Sequence, residues 1–331
     1  MKFYARRIGF YAFTLWAAIS LNFLLPRLMP GNPADIMIAK MQRAGGEVSE
    51  TTIRNIRLLL GSEDIPLWQQ YFQYWGQMFR GDLGISVTDF PKPVAELIAE
   101  ALPWTLILVG TATVISFLLG VGLGAFAGWK RGTWVDHLIP ATTVLQSIPY
   151  FWMALVLVFV FAVTLGWFPI FGGYDVFEFP FGPEASWAFF ADAVRHAILP
   201  ALTIVISSVG GWLFGMRNMM VSTLAEDYVL TAEAKGLHPR RVMTTYAARN
   251  AAIPSISGFS ITLGFVVAGS IVMEQVFTYP GVGKLMFQAV TMNDYALMQG
   301  LFLVITIAVL GANFFMDLVY GFIDPRARQN V

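Results

Sequence analysis

Residues 104–128 read WTLILVGTATVISFLLGVGLGAFAG, a run without one charged side chain. A helix of about 20 apolar residues crosses the hydrocarbon core of a bilayer, so this stretch is long enough to span it. Working outward, five further runs of the same kind appear: 8–28, 138–168, 197–219, 254–276 and 297–322. The composition agrees. Of 331 residues, 56% are hydrophobic and only 13% charged, where soluble domains run nearer a quarter. The fold class expected is an all-α integral membrane protein with six transmembrane helices and a small extracytoplasmic segment between the first two.

Four divisions follow. Residues 1–29 form an N-terminal transmembrane helix and 30–103 the extracytoplasmic segment. Residues 104–322 form a five-helix core that includes a cytoplasmic loop at 217–253, and 323–331 form a tail. Lys2, Arg6 and Arg7 resemble the charged start of a signal peptide, but the apolar run ends in Pro26-Arg27-Leu28-Met29-Pro30 with no small-residue cleavage site, so it reads as a retained anchor. Lys and Arg set the orientation. Lys130, Arg131, Arg240, Arg241 and Arg249 fall on one side, whereas the two short loops opposite hold only Arg195 and Lys284. Both termini are therefore expected in the cytoplasm.

Several function classes are weakened at once. Net charge is zero, so no nucleic-acid footprint exists, and the absence of cysteine removes thiolate chemistry and disulfides. The cores of the spans carry no Asp, Glu, Lys or Arg, and Arg217, Glu274 and Asp317 lie only near their ends. An ion-coupled carrier usually holds an ionisable group at mid-membrane, so the energy for any transport is expected from elsewhere. Gly281-Val-Gly283-Lys284 invites a phosphate-loop reading, but Leu285 stands where Ser or Thr is required and Thr278 where the first glycine should be. His137, His196 and His238 sit in separate loops with no metal spacing. Asp175, Glu178 and Asp192 have no paired spacing that would suit a membrane enzyme. No catalytic residue, bound cofactor or metal is expected. The rival of another class is an ATP-independent secondary transporter or channel.

Two kinds of stripe run along the spans. Gly120, Gly124 and Gly128 share a helix face, as do Gly211 and Gly215; such faces serve internal packing or a subunit interface. Thr142, Gln146 and Pro149, and separately Ser257, Ser260, Gly264 and Ala268, form small polar stripes. Each either packs against a neighbour or lines a water-filled path for polar solutes. In the outer segment, a short amphipathic helix is expected over 49–60. A second starts at Pro66 and runs through Trp68, Tyr71, Phe72 and Trp75. Its aromatics suit the membrane interface, and the segment reads either as a solvated cap or as a lid that receives a partner.

Residues 223–250 read TLAEDYVLTAEAKGLHPRRVMTTYAARN. Thr223 and Glu226 fit a capping box, acidic residues open the helix, Lys235 closes it, and Gly236 stands where a left-handed C-terminal cap would fall. Pro239 suits the first turn of a second helix, which carries Arg240, Arg241, Tyr246 and Arg249 and stops before Pro254. This helix–turn–helix is too short and polar to span. It is an interfacial helix, a solvated loop, or a lever that docks into a cytosolic protein.

The stretch Tyr228–Leu237 resembles the coupling motif of permeases from binding-protein-dependent ABC importers, most closely the dipeptide/oligopeptide/nickel branch, and Arg249-Asn250-Ala-Ala-Ile-Pro254 is similar to the motif's end. The wider superfamily has an acidic residue six positions before the glycine; Leu230 stands there, which fits the branch. Gln70-Tyr71, Trp75, Gly81-Asp82-Leu83-Gly84 with Ser86, Pro93-Val94, Glu274–Gly283 and Asp294-Tyr295 resemble further family pieces in the family's order. The resemblance implies six transmembrane helices and a second, related permease subunit. It also implies two cytosolic ATPase subunits that bind ATP and Mg, and an extracytoplasmic substrate-binding protein, in a prokaryotic inner membrane. Membrane lipid is the remaining partner. The resemblance assigns ATPase coupling to Tyr228, Thr231, Ala232, Glu233, Ala234, Lys235, Gly236, Leu237 and Arg241. Thr142, Gln146, Ser257, Ser260 and Gly264 are the candidates for a translocation path. Within the branch, oligopeptide is the first substrate class, with oligosaccharide and nickel chelate as alternatives. Trp68, Trp75, Trp167 and Trp187 suit either sugar stacking or anchoring at the interface.

Overall fold

The computed structural model describes residues 2–28, 66–266 and 271–323, with a few isolated positions between 38 and 53. Among these residues regular structure is helical throughout, and one antiparallel bridge joins Ile85 to Pro93. The helix expected over 49–60 lies largely outside the described residues. Four helices are each long and apolar enough to cross a bilayer: α1 (Lys2–Leu28), α3 (Val94–Trp129), α6 (Trp187–Leu224) and α12 (Tyr295–Ile323). At 1.5 Å per residue, the 36 residues of α3 and the 38 of α6 extend roughly 54–57 Å, so both project well past a hydrocarbon core of about 30 Å.

The run at 138–168 is not one straight span. It folds as α4 (Trp134–Ser147) and α5 (Tyr150–Leu157), the latter continuing as a π-helical segment Val158–Thr164, and the pair bends by 97° at the break. Pro149 is the cause. Its ring excludes the helical conformation for the residue before it, and Ile148 accordingly adopts ψ 125°. The run at 254–276 appears as α9 (Ile253–Val266) and α10 (Ile271–Val276), on either side of residues 267–270, which are outside the described set. The helices divide between two compact units, 1–104 with 281–331, and 105–280; α3 passes from one to the other.

In the first unit, α2 (Leu67–Phe79) follows Pro66 and lies against α1. Tyr71 Oη and Ser20 Oγ are 2.7 Å apart, and Asn22 Nδ2 donates to Tyr74 Oη at 3.1 Å. Asn22 also exchanges bonds with α12, donating to the Gln299 carbonyl at 2.8 Å and accepting from Gln299 Nε2 at 3.1 Å. Val94, Leu97, Ile98 and Ala101 of α3 form a buried core with Val282, Leu285 and Met286 of α11 (Val282–Thr291) and Leu297 and Leu301 of α12. Asp294, fully buried just before α12, caps that helix by accepting the Leu297 N–H at 3.1 Å. Its other oxygen accepts Ser86 Oγ–H at 2.5 Å and the Thr88 N–H at 2.8 Å.

In the second unit, the Gly120, Gly124, Gly128 stripe of α3 resolves as internal packing. A Cβ at Gly120 would stand 2.7 Å from the Val209 carbonyl oxygen, one at Gly124 2.9 Å from Met216 Cβ, and one at Gly128 2.5 Å from Met220 Cβ, all on α6. Only glycine allows that approach, and Ser116 and Ser208 add a 2.8 Å hydroxyl pair between the same helices. Gly215 meets nothing within 4 Å and Gly211 is scarcely touched. The glycine of α6 that makes a close contact is Gly210, against Thr142 and Gln146 of α4. Near the opposite end of the unit, Thr105 donates to the fully buried Glu274 at 2.8 Å. Burial, and then the Glu274 charge, push the Tyr279 hydroxyl far above the ordinary tyrosine range.

Candidate coupling site

The loop between α6 and α9 is built from the inside out. The expected capping box does not form. Met216 and Met220 keep α6 apolar toward Ala125, Ala247 and Ala251, and the helix runs on to Leu224 with Thr223 buried. The chain then turns at Ala225, and the extended Glu226 opens α7 (Asp227–Ala234) without a side-chain cap. Asp227 still sits in the first turn, where the helix dipole favours a carboxylate.

The far end of α7 behaves as the sequence requires. Gly236 takes φ +71°, its N–H bonds the Glu233 carbonyl at 2.8 Å, and the Leu237 N–H reaches the Ala232 carbonyl at 3.4 Å. These two bonds make a Schellman cap, and Leu237 closes its usual hydrophobic contact by packing on the buried trio Val229, Ala232 and Val242. The turn therefore has an anchored inner side. His238 is extended and leads into Pro239 at the first position of the next helix. That helix, α8, spans 239–251: one turn (Pro239–Arg241), a π-helical segment (Val242–Ala248) and a last turn (Arg249–Ala251). Asn250 Nδ2 donates to Tyr228 Oη at 3.0 Å and to the Tyr246 carbonyl at 3.1 Å, tying the end of α8 back to the start of α7.

The nine residues expected at the coupling surface divide by burial. Ala232 is buried and Leu237 half-buried; they hold the turn to its core. Tyr228, Thr231, Glu233, Ala234, Lys235, Gly236 and Arg241 are exposed. Leu230, left outside that set, is half exposed on the same helix and adds an apolar contact point. Asn250, within the stretch Arg249–Pro254, adds a polar link between the two helices through its bond to Tyr228. Beneath them, Ala247 and Ala251 are fully buried with Ala125 of α3 and Met216 and Met220 of α6, so the loop is seated on two long helices. The arrangement is an exposed turn held from beneath by two long helices.

Residues 120–329 match the family described as "Binding-protein-dependent transport system inner membrane component". The chain belongs to this family. It is 35% identical to a di/tripeptide transport system permease protein of Pseudomonas aeruginosa, with 99% of each chain covered. It is 31% identical to an oligopeptide transport system permease protein of Bacillus subtilis, covering 92% of each, and 34% identical to a glutathione transport system permease protein of Escherichia coli, covering 95% of each. As an inner membrane component of a binding-protein-dependent system, the chain is an ABC importer permease rather than an isolated carrier. The family match takes in the whole loop at 217–253, and the full-length relatives extend the likeness over residues 30–103 and α1.

The candidate path residues of this family member fall on two elements. Thr142 and Gln146 lie together on α4 against Gly210. Ser257, half-buried, donates back to the Ile253 carbonyl of its own helix at 3.0 Å, and Gly264 is buried on the same α9, which also carries Ser260.

Proposed function

We propose that this chain is one of two permease subunits of an ATP-driven importer of oligopeptides. Six spans are formed by α1, α3, the bent α4–α5 pair, α6, the α9–α10 pair and α12. Both termini and the 217–253 loop lie in the cytoplasm, and residues 30–103 lie outside. The observation that carries the reading is the capped turn at Gly236: an exposed edge from Tyr228 to Arg241, clamped from behind by Leu237 and seated on α3 and α6. A helix lodged in a groove of a cytosolic ATPase would pass that subunit's movement straight into two spans. Peptide is supported as the cargo by the relatives, which are named for di- and tripeptides, oligopeptides and glutathione. A loaded binding protein would dock outside, ATP would close the paired ATPases, and peptide would enter a path between the two permeases. Thr142, Gln146, Ser257, Ser260 and Gly264 would line that path on this side.

The test is purification of the tagged chain in mild detergent, reconstitution in liposomes, and assay of ATP hydrolysis and peptide uptake. Co-purification of a second permease and an ATPase, with hydrolysis raised by a peptide-loaded binding protein, is the expected outcome. Peptide movement by the chain alone without ATP would overturn it.

A further inference from the structure

The helix α2 divides its surface three ways. Tyr71 and Tyr74 face α1, where they bond Ser20 and Asn22 and stack about Phe23 at 5.2 and 5.6 Å. Gln73 and Gln77 are exposed on another side. Trp68, Phe72 and Phe79, with the half-buried Trp75 among them, form a third face at helical spacing: Trp68 is 66%, Phe72 67% and Phe79 79% exposed among the described residues. The helix carries no charged residue at all.

We propose that this aromatic face is seated in the outer leaflet of the membrane, at the boundary between headgroups and acyl chains. Three observations select lipid over a protein occupant. First, the anchoring partners Ser20 and Asn22 lie near the end of the apolar window Arg6–Leu24, so on the six-span reading α2 is held at the membrane boundary. Second, the α1 turn that grips α2 exposes Leu21 and Leu24, so the anchor itself sits beside uncovered apolar side chains. Third, an uncharged face of Trp and Phe with glutamines on the water side matches the chemistry of the interface, where amphipathic rings concentrate, and offers no charge for a protein partner to complement. Helix α2 is then pinned to the bilayer, and a docking partner must approach it from the glutamine side. The proposal rests on the outward placement of residues 30–103.

The chain contains no cysteine, so single substitutions report single sites on it, and the unsubstituted complex supplies the background from its partners. Phe72→Cys, Phe79→Cys, Gln73→Cys and Gln77→Cys, each spin-labelled in the full complex in lipid nanodiscs, are compared for collision with oxygen and with a water-soluble nickel chelate. Expected is a several-fold preference for oxygen at 72 and 79 and the reverse at 73 and 77. Phe79 lies at the end of the helix, away from the contacts with α1, so its substitution tests the face without disturbing the anchor. Nickel access at 72 and 79 equal to that at 73 would overturn the proposal, as would protection from both reagents, or nickel access lost on adding the loaded binding protein. A membrane-impermeant maleimide applied to intact cells reads the underlying placement separately. Labelling of Gln73→Cys only after permeabilisation would reverse the topology while leaving the lipid contact to be judged by the collision ratio.

Discussion

Gly236 holds φ +71° with nothing within 4 Å of where a Cβ would stand, so the demand for glycine there is one of backbone and not of space. An L-residue in this conformation is strained by roughly 1–2 kcal/mol, Asn less and β-branched residues more. Gly236→Asn, Gly236→Ala and Gly236→Val should therefore lower peptide uptake per ATP hydrolysed in that order while the complex still assembles. Normal coupling in the valine variant would remove the turn from the transmission path. Asp294 poses the opposite problem, a buried carboxylate that accepts three donors. Asp294→Asn turns one acceptor into a donor facing the Thr88 N–H and should destabilise the turn at Ser86 and Thr88 by about 1–3 kcal/mol, read as faster tryptic cleavage after the exposed Arg80. An Asp directly before an apolar helical run is a start signal, so the cap is encoded locally even though the hydropathy run at 297–322 begins past it. Its bond to Ser86 is not, because no local pattern links residues so far apart.

At the scale of elements, the spacing that the sequence displays best is also the one the structure uses most directly. Gly120, Gly124 and Gly128 announce a close helix contact, and α6 supplies it. Gly124→Leu should lose about 1–3 kcal/mol or more through overpacking, whereas Gly122→Leu, on a face with nothing within 4 Å, should leave the melting temperature of the purified complex unchanged. Equal effects would mean that the contact does not govern stability. Other elements were read less well, for identifiable reasons. Hydropathy across 138–168 stays high through Pro149, so a window average hides a 97° break that the proline alone betrays. Thr223 and Glu226 have the spacing of a capping box, but tertiary burial of Met216 and Met220 carries α6 through the position where the cap would start. The cap at Gly236 was legible because glycine's left-handed preference is local, whereas the π-helical stretch Val242–Ala248 follows from packing that no short pattern encodes.

For the whole molecule, the proposed topology makes a direct forecast. In the cysteine-free chain, an impermeant maleimide on intact cells should label Asp89→Cys and Glu184→Cys, while Arg131→Cys and Lys235→Cys should react only in inverted vesicles; any exchange between the two groups breaks the six-span scheme. The bond between Ser86 and Asp294 adds a dimension of time. The two residues are 208 positions apart. At ribosomal speeds of about 5–20 residues per second, roughly 10–40 s pass between the synthesis of one and the other. Through that interval the Ser86 hydroxyl and the Thr88 N–H must find water in place of their carboxylate. The turn at Ser86 and Thr88 thus acquires its carboxylate only once Asp294 and the start of α12 have been made.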